Sequence, residues 1–209
     1  MIGFAGIILF LSSCASMSMM QTARTTEKGK LGTSYGGGVV QSELILGTSD
    51  TLDLNAPFAE VGARYGITDN LDAGLKLTLI GTGVADVKYQ FIGDSESVFA
   101  GSVGLGVGYL SIESGSSKSS IYDLMVPAYF SVHPTDWLGI YAGPRYVFRI
   151  NSYNTDQESD TGTSHWYGGT AGIRLGGRVA FLGEFSYFGT SNQDTPLTQI
   201  TGGLSIGIR

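Results

Sequence analysis

Ten charged residues stand out because they share one side of segments whose residue types alternate. In residues 58–79 every second position is mostly apolar, while the positions between are charged, polar or small. The same pattern recurs around Asp86, Arg145 and Glu184. Charges of both signs that point into one confined space must pair and form hydrogen bonds, since an isolated buried charge is costly. The ten residues are Glu60, Arg64, Asp72, Lys76, Asp86, Lys88, Arg145, Arg149, Arg174 and Glu184.

A serine beside a histidine is the second feature with chemical potential. Ser164 and His165 follow the acidic stretch Asp156 to Asp160 and could supply a nucleophile and a base. Neighbouring residues of a strand point to opposite faces, however, so the two cannot readily act as a pair. We therefore predict no enzyme and no catalytic residue.

Other functional classes are disfavoured by composition. The net charge is −6 and we find no basic patch, which argues against a nucleic-acid partner. One Cys and two well-separated His residues make no convincing metal site, and no cofactor is predicted.

The residues that precede the single cysteine indicate a role for it. The apolar run MIGFAGIILF leads directly into Leu11-Ser12-Ser13-Cys14. This arrangement resembles the lipobox of bacterial lipoproteins. The resemblance implies that residues 1–13 are a signal peptide and that Cys14 carries a covalent lipid; the competing interpretation is an ordinary buried cysteine.

From about Lys30 onward the chain consists of short alternating segments separated by turn residues. Gly accounts for 32 residues and charged residues for only 14%. No apolar run after the first dozen residues approaches the roughly 20 that a membrane helix needs. Repeated alternation with a period of two is typical of membrane barrels and weak for any one segment.

The turn GITDNLDAGL in residues 66–75 resembles hairpins that are common in bacterial outer-membrane β-barrel proteins. That resemblance extends loosely from Lys30 to Arg209. It implies an all-β, transmembrane, antiparallel up-and-down barrel of about ten strands, with eight also possible.

Connection lengths predict how this barrel would sit in the membrane. Short connections near residues 68–70, 93–97, 134–136 and 176–177 alternate with longer ones near 41–56, 113–120, 151–163 and 189–196, apart from a tight external link at 80–83. Short turns are periplasmic in such barrels and longer loops are external. Together with the resemblance to the lipobox, this orientation predicts a signal peptide (1–13), a flexible periplasmic tether (14–29) and an outer-membrane barrel (30–209). Its N-terminus would be periplasmic and lipid-anchored.

Three functions remain open for such a protein. The ten charges could fill and brace the lumen of a structural or surface-interaction protein, whose partners would be outer-membrane lipid and lipopolysaccharide. They could instead line a narrow, porin-like pore for small polar or ionic solutes. An enzyme acting on lipid A or surface peptides is the third. A water-soluble barrel or sandwich hung from a lipid is the alternative fold, with the apolar face as its core.

Overall fold

A computed structural model describes residues 17–46, 50–79, 81–114, 117–154, 159–190 and 193–208. Within these ranges no helix is long and apolar enough to cross a membrane.

The described residues fold into strands, each of which pairs antiparallel with the next in the chain. The sheet closes where β1 pairs with β10, from Thr33 opposite Ile206 to Gln41 opposite Thr198. This confirms the predicted all-β, up-and-down barrel and decides for ten strands over eight. The strands are β1 Leu31–Leu46, β2 Asp50–Gly66, β3 Leu71–Thr78, β4 Gly83–Ile92, β5 Phe99–Ser114, β6 Ser117–Thr135, β7 Leu138–Asn154, β8 Ser159–Gly176, β9 Val179–Thr190 and β10 Gln193–Ile206.

The side chains of β5 show which face of the sheet points outward. Val103, Leu105 and Val107 are 41%, 51% and 57% exposed, whereas the glycines between them are buried. Successive residues of a strand point to opposite faces, so one face is apolar and outward and the other is inward. This sense of alternation is the reverse of a water-soluble barrel, and it matches the outward apolar band of outer-membrane barrels.

Aromatic side chains mark both edges of the apolar outer face. Tyr65 and Tyr89 are exposed near one end of the barrel, and Tyr109 and Tyr122 are exposed further along, with ring centroids 5.0 Å apart. Rings at two levels on the outer face are typical of the girdles at the two membrane interfaces.

The two ends of the barrel differ in how strands are joined. At one end, which we call the short-turn end, the connections are residues 67–70, 93–98, 136–137 and 177–178. We call the opposite end the long-hairpin end. The predicted long loops were wrong, because strands β1 and β2 continue through most of residues 41–56 and β7 and β8 through most of 151–163. Residues 151–163 are polar at almost every position, so their sequence lacks the alternation from which strands are predicted.

At the long-hairpin end, the wall is shortest where β3 and β4 are joined, because these two strands end earlier than the others. Strand β3 ends at Thr78 and β4 begins at Gly83, with Thr78 N–H donating to Thr82 O over 2.9 Å. We call this place the β3–β4 lip. Its outward residues Leu77 and Leu79 are 49% and 85% exposed.

A capped turn closes one corner of the short-turn end. Asp94 Oδ1 accepts hydrogen bonds from Glu96 N–H at 2.9 Å, Ser97 N–H at 2.8 Å and Ser97 O–H at 2.9 Å. Hydrogen bonds from the Glu96 backbone and from Ser97 lower the pKa of Asp94.

The outward apolar face predicts a depth-dependent cost for a buried cation. Leu105→Arg lies midway along β5, and we expect it to lower the free energy of unfolding in lipid by about 2–4 kcal/mol. Val98→Arg, at the short-turn end, is the matched control and should cost about 0–1 kcal/mol. Denaturant unfolding in lipid vesicles measures both. Equal and negligible costs would contradict a lipid-facing outer wall.

Candidate functional site

The N-terminal chain lies inside the barrel. All residues from Met17 to Thr26 are buried, with relative exposures of 8% or less. We call residues 17–26 the lumen segment. The predicted flexible periplasmic tether is therefore wrong for this part of residues 14–29, because the segment fills the space that the barrel encloses.

Backbone N–H groups of the lumen segment are satisfied by side chains of the wall. Glu184 on β9 accepts from Met19 N–H at 2.9 Å and from Met20 N–H at 2.5 Å. Its carboxylate also accepts from Tyr141 O–H at 2.8 Å. A buried backbone group without a partner costs about as much as a lost hydrogen bond, so this carboxylate holds the segment in register.

Backbone carbonyls of the segment are met by cations. Lys88 Nζ donates to Thr22 O at 3.1 Å and to Arg24 O at 2.8 Å. Arg145 reaches the carbonyls of Met17 and Ser18, each at 3.3 Å. Both cations thus act as hydrogen-bond donors to a peptide rather than only as partners of acids.

Every strand from β2 to β10 contributes at least one hydrogen bond to the segment. A chain held from all around the wall is an integral filling of the lumen. The wall residues in these bonds are Glu60, Asp72, Lys88, Gln90, Ser102, Ser131, Arg145, Thr170, Glu184 and Gln199.

Two inward glycines make room for the methionines of the segment. A Cβ at Gly36 would lie 3.1 Å from Met20 Cε, and a Cβ at Gly143 would lie 2.9 Å from Met19 Cε. These distances are shorter than ordinary van der Waals contacts, so a side chain at either position would require the end of the methionine to shift.

The segment runs along the barrel in a defined direction. At the short-turn end, Lys28 bridges to Gly66, and Gly29 turns the chain into β1 with a φ of 74°. Thr26 N–H donates to Asp72 near the start of β3, whereas Met17 N–H donates to Gln199 midway along β10. Followed from Thr26 back to Met17, the chain climbs from the short-turn end toward the long-hairpin end.

The ten charged residues picked out in the sequence all lie on the inner face, at three kinds of site. Arg64 bridges Asp72 and Asp86, and Lys88 Nζ stands 3.7 Å from Asp72. Lys76 Nζ lies 3.5 Å from Glu60, whose carboxylate accepts from Ser18 O–H. Of the remaining members, Arg145, Arg174 and Glu184 serve backbone or segment atoms, and Arg149 pairs with an acid outside the ten.

Arg174 belongs to the group that serves backbone atoms. It donates to carbonyls at the short-turn end, among them Gly176 O at 2.7 Å.

The sequence analysis missed the partner of Arg149. Asp123 on β6 accepts from Arg149 Nε at 2.7 Å and from Nη2 at 2.8 Å, and both side chains are buried. The signal was present, because Asp123 sits between the apolar positions Tyr122 and Leu124 of a strand that had been predicted.

An apolar layer fills the lumen around Met17, at the first described residue of the segment. The sequence analysis also missed this layer. Trp166 is 7% exposed and points inward, with Arg149 over its ring at 5.5 Å. Its neighbours His165 and Tyr167 point outward, so the parity of β8 requires Trp166 to point in. The layer consists of Met17, Val40, Val84, Met125, Val147, Trp166, Phe188 and Leu197.

Comparisons with known proteins return structures but no sequence relatives. No known protein family matches the chain. No curated protein matches it either. The chain is similar in structure to Ail, the attachment invasion locus protein of Yersinia pestis, with a TM-score of 0.42 and 11% identity, over 86% of this chain and 98% of Ail. For Neisserial surface protein A the values are 0.45 and 12%, over 85% and 97%.

A third structure covers more of the chain. The translocator domain of the autotransporter NalP from Neisseria meningitidis has a TM-score of 0.44 and 12% identity, over 97% of this chain and 94% of that domain. The assignment of the fold rests on the strand pairing of this chain itself.

Ser164 and His165 occupy opposite faces of β8. Ser164 Oγ accepts from the inward Trp166 Nε1 at 3.1 Å, whereas His165 Nδ1 lies 2.6 Å from Tyr146 Oη on the outer face. The described residues contain no group of three or more His, Cys, Asp or Glu side chains that could hold a metal ion. Cys14 and Asp156 lie outside the described residues.

We expect Glu184→Ala to loosen the lumen segment, because it leaves two buried amides and a buried hydroxyl without an acceptor. Each such group costs about 1–3 kcal/mol. Amide hydrogen exchange at Met19 and Met20 should accelerate, and the protein should unfold at lower denaturant concentration. Tyr141→Phe is the control, since it removes a donor to Glu184 and leaves both amides bonded. Unchanged exchange in Glu184→Ala would show that the carboxylate does not hold the segment.

The contribution of the buried Asp123–Arg149 ion pair to stability can be measured. Asp123→Ala should cost about 3–5 kcal/mol of folding free energy, because it removes the carboxylate that neutralises a buried guanidinium. Asp123→Leu combined with Arg149→Met should cost much less, since both charges are removed together. Denaturant unfolding of the single and double variants decides, and a double variant as unstable as the single one would argue against a coupled pair.

Proposed function

We propose that this protein is an outer-membrane barrel lipoprotein whose lumen is closed by its own N-terminal chain, with a structural or surface-interaction role. The observation that carries this proposal is the lumen segment, buried throughout and hydrogen-bonded from strands β2 to β10. A lumen filled in this way braces the wall and leaves the outer surface and the hairpins to meet the surroundings.

The partners in this proposal are outer-membrane lipid and lipopolysaccharide. The outward apolar face and its aromatic edges suit a lipid bilayer. Strands such as β6 and β7 continue beyond that face to Ser117 and Asn154, which suits contact with lipopolysaccharide at the cell surface. Cys14 is the proposed site of the covalent lipid, supported by the apolar run that precedes Leu11-Ser12-Ser13-Cys14.

Closure of the lumen favours this role over a pore. A cavity of about 60 Å³ remains beside the segment among Arg64, Lys76, Asp86 and Arg145. Such a volume would hold no more than a few water molecules. The apolar layer around Met17 and Trp166 adds a second barrier above it. Conduction would require both to move.

We further propose that the chain has no catalytic activity. The serine and histidine that could have formed a nucleophile and base are turned away from each other, and His165 is engaged by Tyr146. The inward carboxylates are likewise committed to Arg64, Arg149 and the segment amides.

Conductance measurements test the closed lumen. We expect the full chain, inserted in planar bilayers and shown to be folded by heat-modifiable migration on a gel, to give no ion steps. A known porin in the same bilayers is the positive control. Steady current from the full chain that changes with Arg145→Gln or Glu60→Gln would overturn the proposal and support the narrow pore instead, because both side chains lie on the inner wall beside the segment.

A further inference from the structure

Arg145 is a buried cation for which the described residues provide no anionic partner. Its side chain is among those buried on the inner wall, with 7% exposure. None of the ion pairs between described residues includes it. Arg64, by contrast, bridges Asp72 and Asp86. An arginine stays protonated even inside a protein, so burial does not remove the charge of Arg145.

The hydrogen bonds of Arg145 do not use its full capacity. Nη1 donates to Met17 O and Nη2 donates to Ser18 O, each over 3.3 Å. The common range for such bonds is shorter, at about 2.7–3.2 Å. Nε is buried and has no acceptor among the described residues. A buried guanidinium is stable when an anion neutralises it and its N–H groups are bonded, and the described residues meet neither requirement in full.

The cavity of about 60 Å³ beside the lumen segment is bordered by Arg145 and is positively charged. Among the described residues that line it, the charged groups are three cations, Arg64, Lys76 and Arg145, and one carboxylate, Asp86. Gln21 lines it as well, and its buried side-chain oxygen has no donor among the described residues. Excess positive charge and two unsatisfied polar groups together indicate a polar ligand in this cavity.

Volume and charge restrict what that ligand is. A cavity of this size holds a few water-sized bodies and has no room for a sugar, a nucleotide or a peptide. A metal cation would be repelled by the three cations of the lining. Water alone would bond the polar groups but would leave the charge of Arg145 without compensation. A monatomic anion meets both needs, and a water molecule beside it would donate to Gln21 Oε1.

We propose that this cavity binds a halide ion, chloride under ordinary conditions, which neutralises Arg145 and accepts hydrogen bonds from it. Arg145 lies on β7 and also donates to Met17 and Ser18 of the lumen segment. The ion therefore links the segment to the wall and is part of the filling of the lumen. All the groups involved lie inside the barrel, so the site does not depend on the role proposed for the outer surface or on a lipid at Cys14.

Dependence of stability on chloride tests this site. The full chain in lipid vesicles is unfolded with urea, because guanidinium chloride would itself supply the ion. Chloride is varied against gluconate at constant ionic strength, so that screening of other charges does not change. Above the dissociation constant, a tenfold rise in chloride should make the folding equilibrium constant about tenfold larger, since one ion binds the folded state. Equal stability in chloride and gluconate would overturn the proposal.

Two variants locate the effect. Arg145→Met removes the charge and keeps a long side chain, so the stability of this variant should not respond to chloride. Asp123→Leu combined with Arg149→Met is the matched control, because it removes another buried arginine of the lumen that does not line the cavity. The control should respond as the unmodified chain does. A response retained in Arg145→Met, or lost in the control, would show that the ion is not bound at Arg145.

A measurement on the unmodified chain decides the matter if Arg145→Met does not fold. In lipid nanodiscs, replacing gluconate by chloride at constant ionic strength should shift the amide signals of Ser18 and Gln21, which border the cavity. The signals of Asn70 and Gly177 in the short turns should stay in place. Shifts confined to exposed residues such as Lys28 would show an adventitious ion only, and no shifts at all would show no bound ion. Either result would overturn the proposal.

Discussion

The structure depends on one requirement, which is that an extended peptide inside a barrel must find hydrogen bonds without a neighbouring strand. The sheet of the wall is already closed on itself, so its backbone groups are used between strands. The backbone of the lumen segment therefore bonds to side chains of the wall, which must supply both acceptors for N–H groups and donors for carbonyls. Glu184 and Lys88 show the two halves of that supply.

This requirement explains why the inner wall carries charges that do more than neutralise each other. Arg64 joins two carboxylates, yet Asp72 also accepts from Thr26 N–H at 2.8 Å, and Lys88 beside it donates to two carbonyls. A charged group inside a low-dielectric space is stable when its remaining lone pairs or protons are bonded. The segment completes those bonds, so its removal would take hydrogen-bond partners from Asp72, Lys88 and Glu184. The plug and the network stabilise each other.

The sequence predicted the parts of the fold that follow from a period of two. Alternation placed all ten charges on the inner face and could have placed Asp123 and Trp166 there, since each follows from the parity of its strand. Alternation is silent about residues 15–29, which are small, polar and without a pattern. Such a stretch reads as a flexible tether because its bonds are made to residues far along the chain, such as Gln199 and Glu184. The β7–β8 hairpin was missed for a related reason, since residues 151–163 are polar at almost every position and leave no period to detect.

The same contacts couple the filling of the lumen to the closure of the wall. Pairing of β1 with β10 joins residues as distant as Thr33 and Ile206, and the entropy cost of such a long closure grows only slowly with loop length. The segment is continuous with β1 through Gly29 and Lys30, so bonds from Met17 to Gln199 on β10 and to Ser186 on β9 close the same large loop as the strand pairing does. These bonds are available only when β8, β9 and β10 have taken their places. Seating of the segment and closure of the barrel therefore reinforce each other, and the inward polar residues contribute to assembling the wall as well as to sealing it.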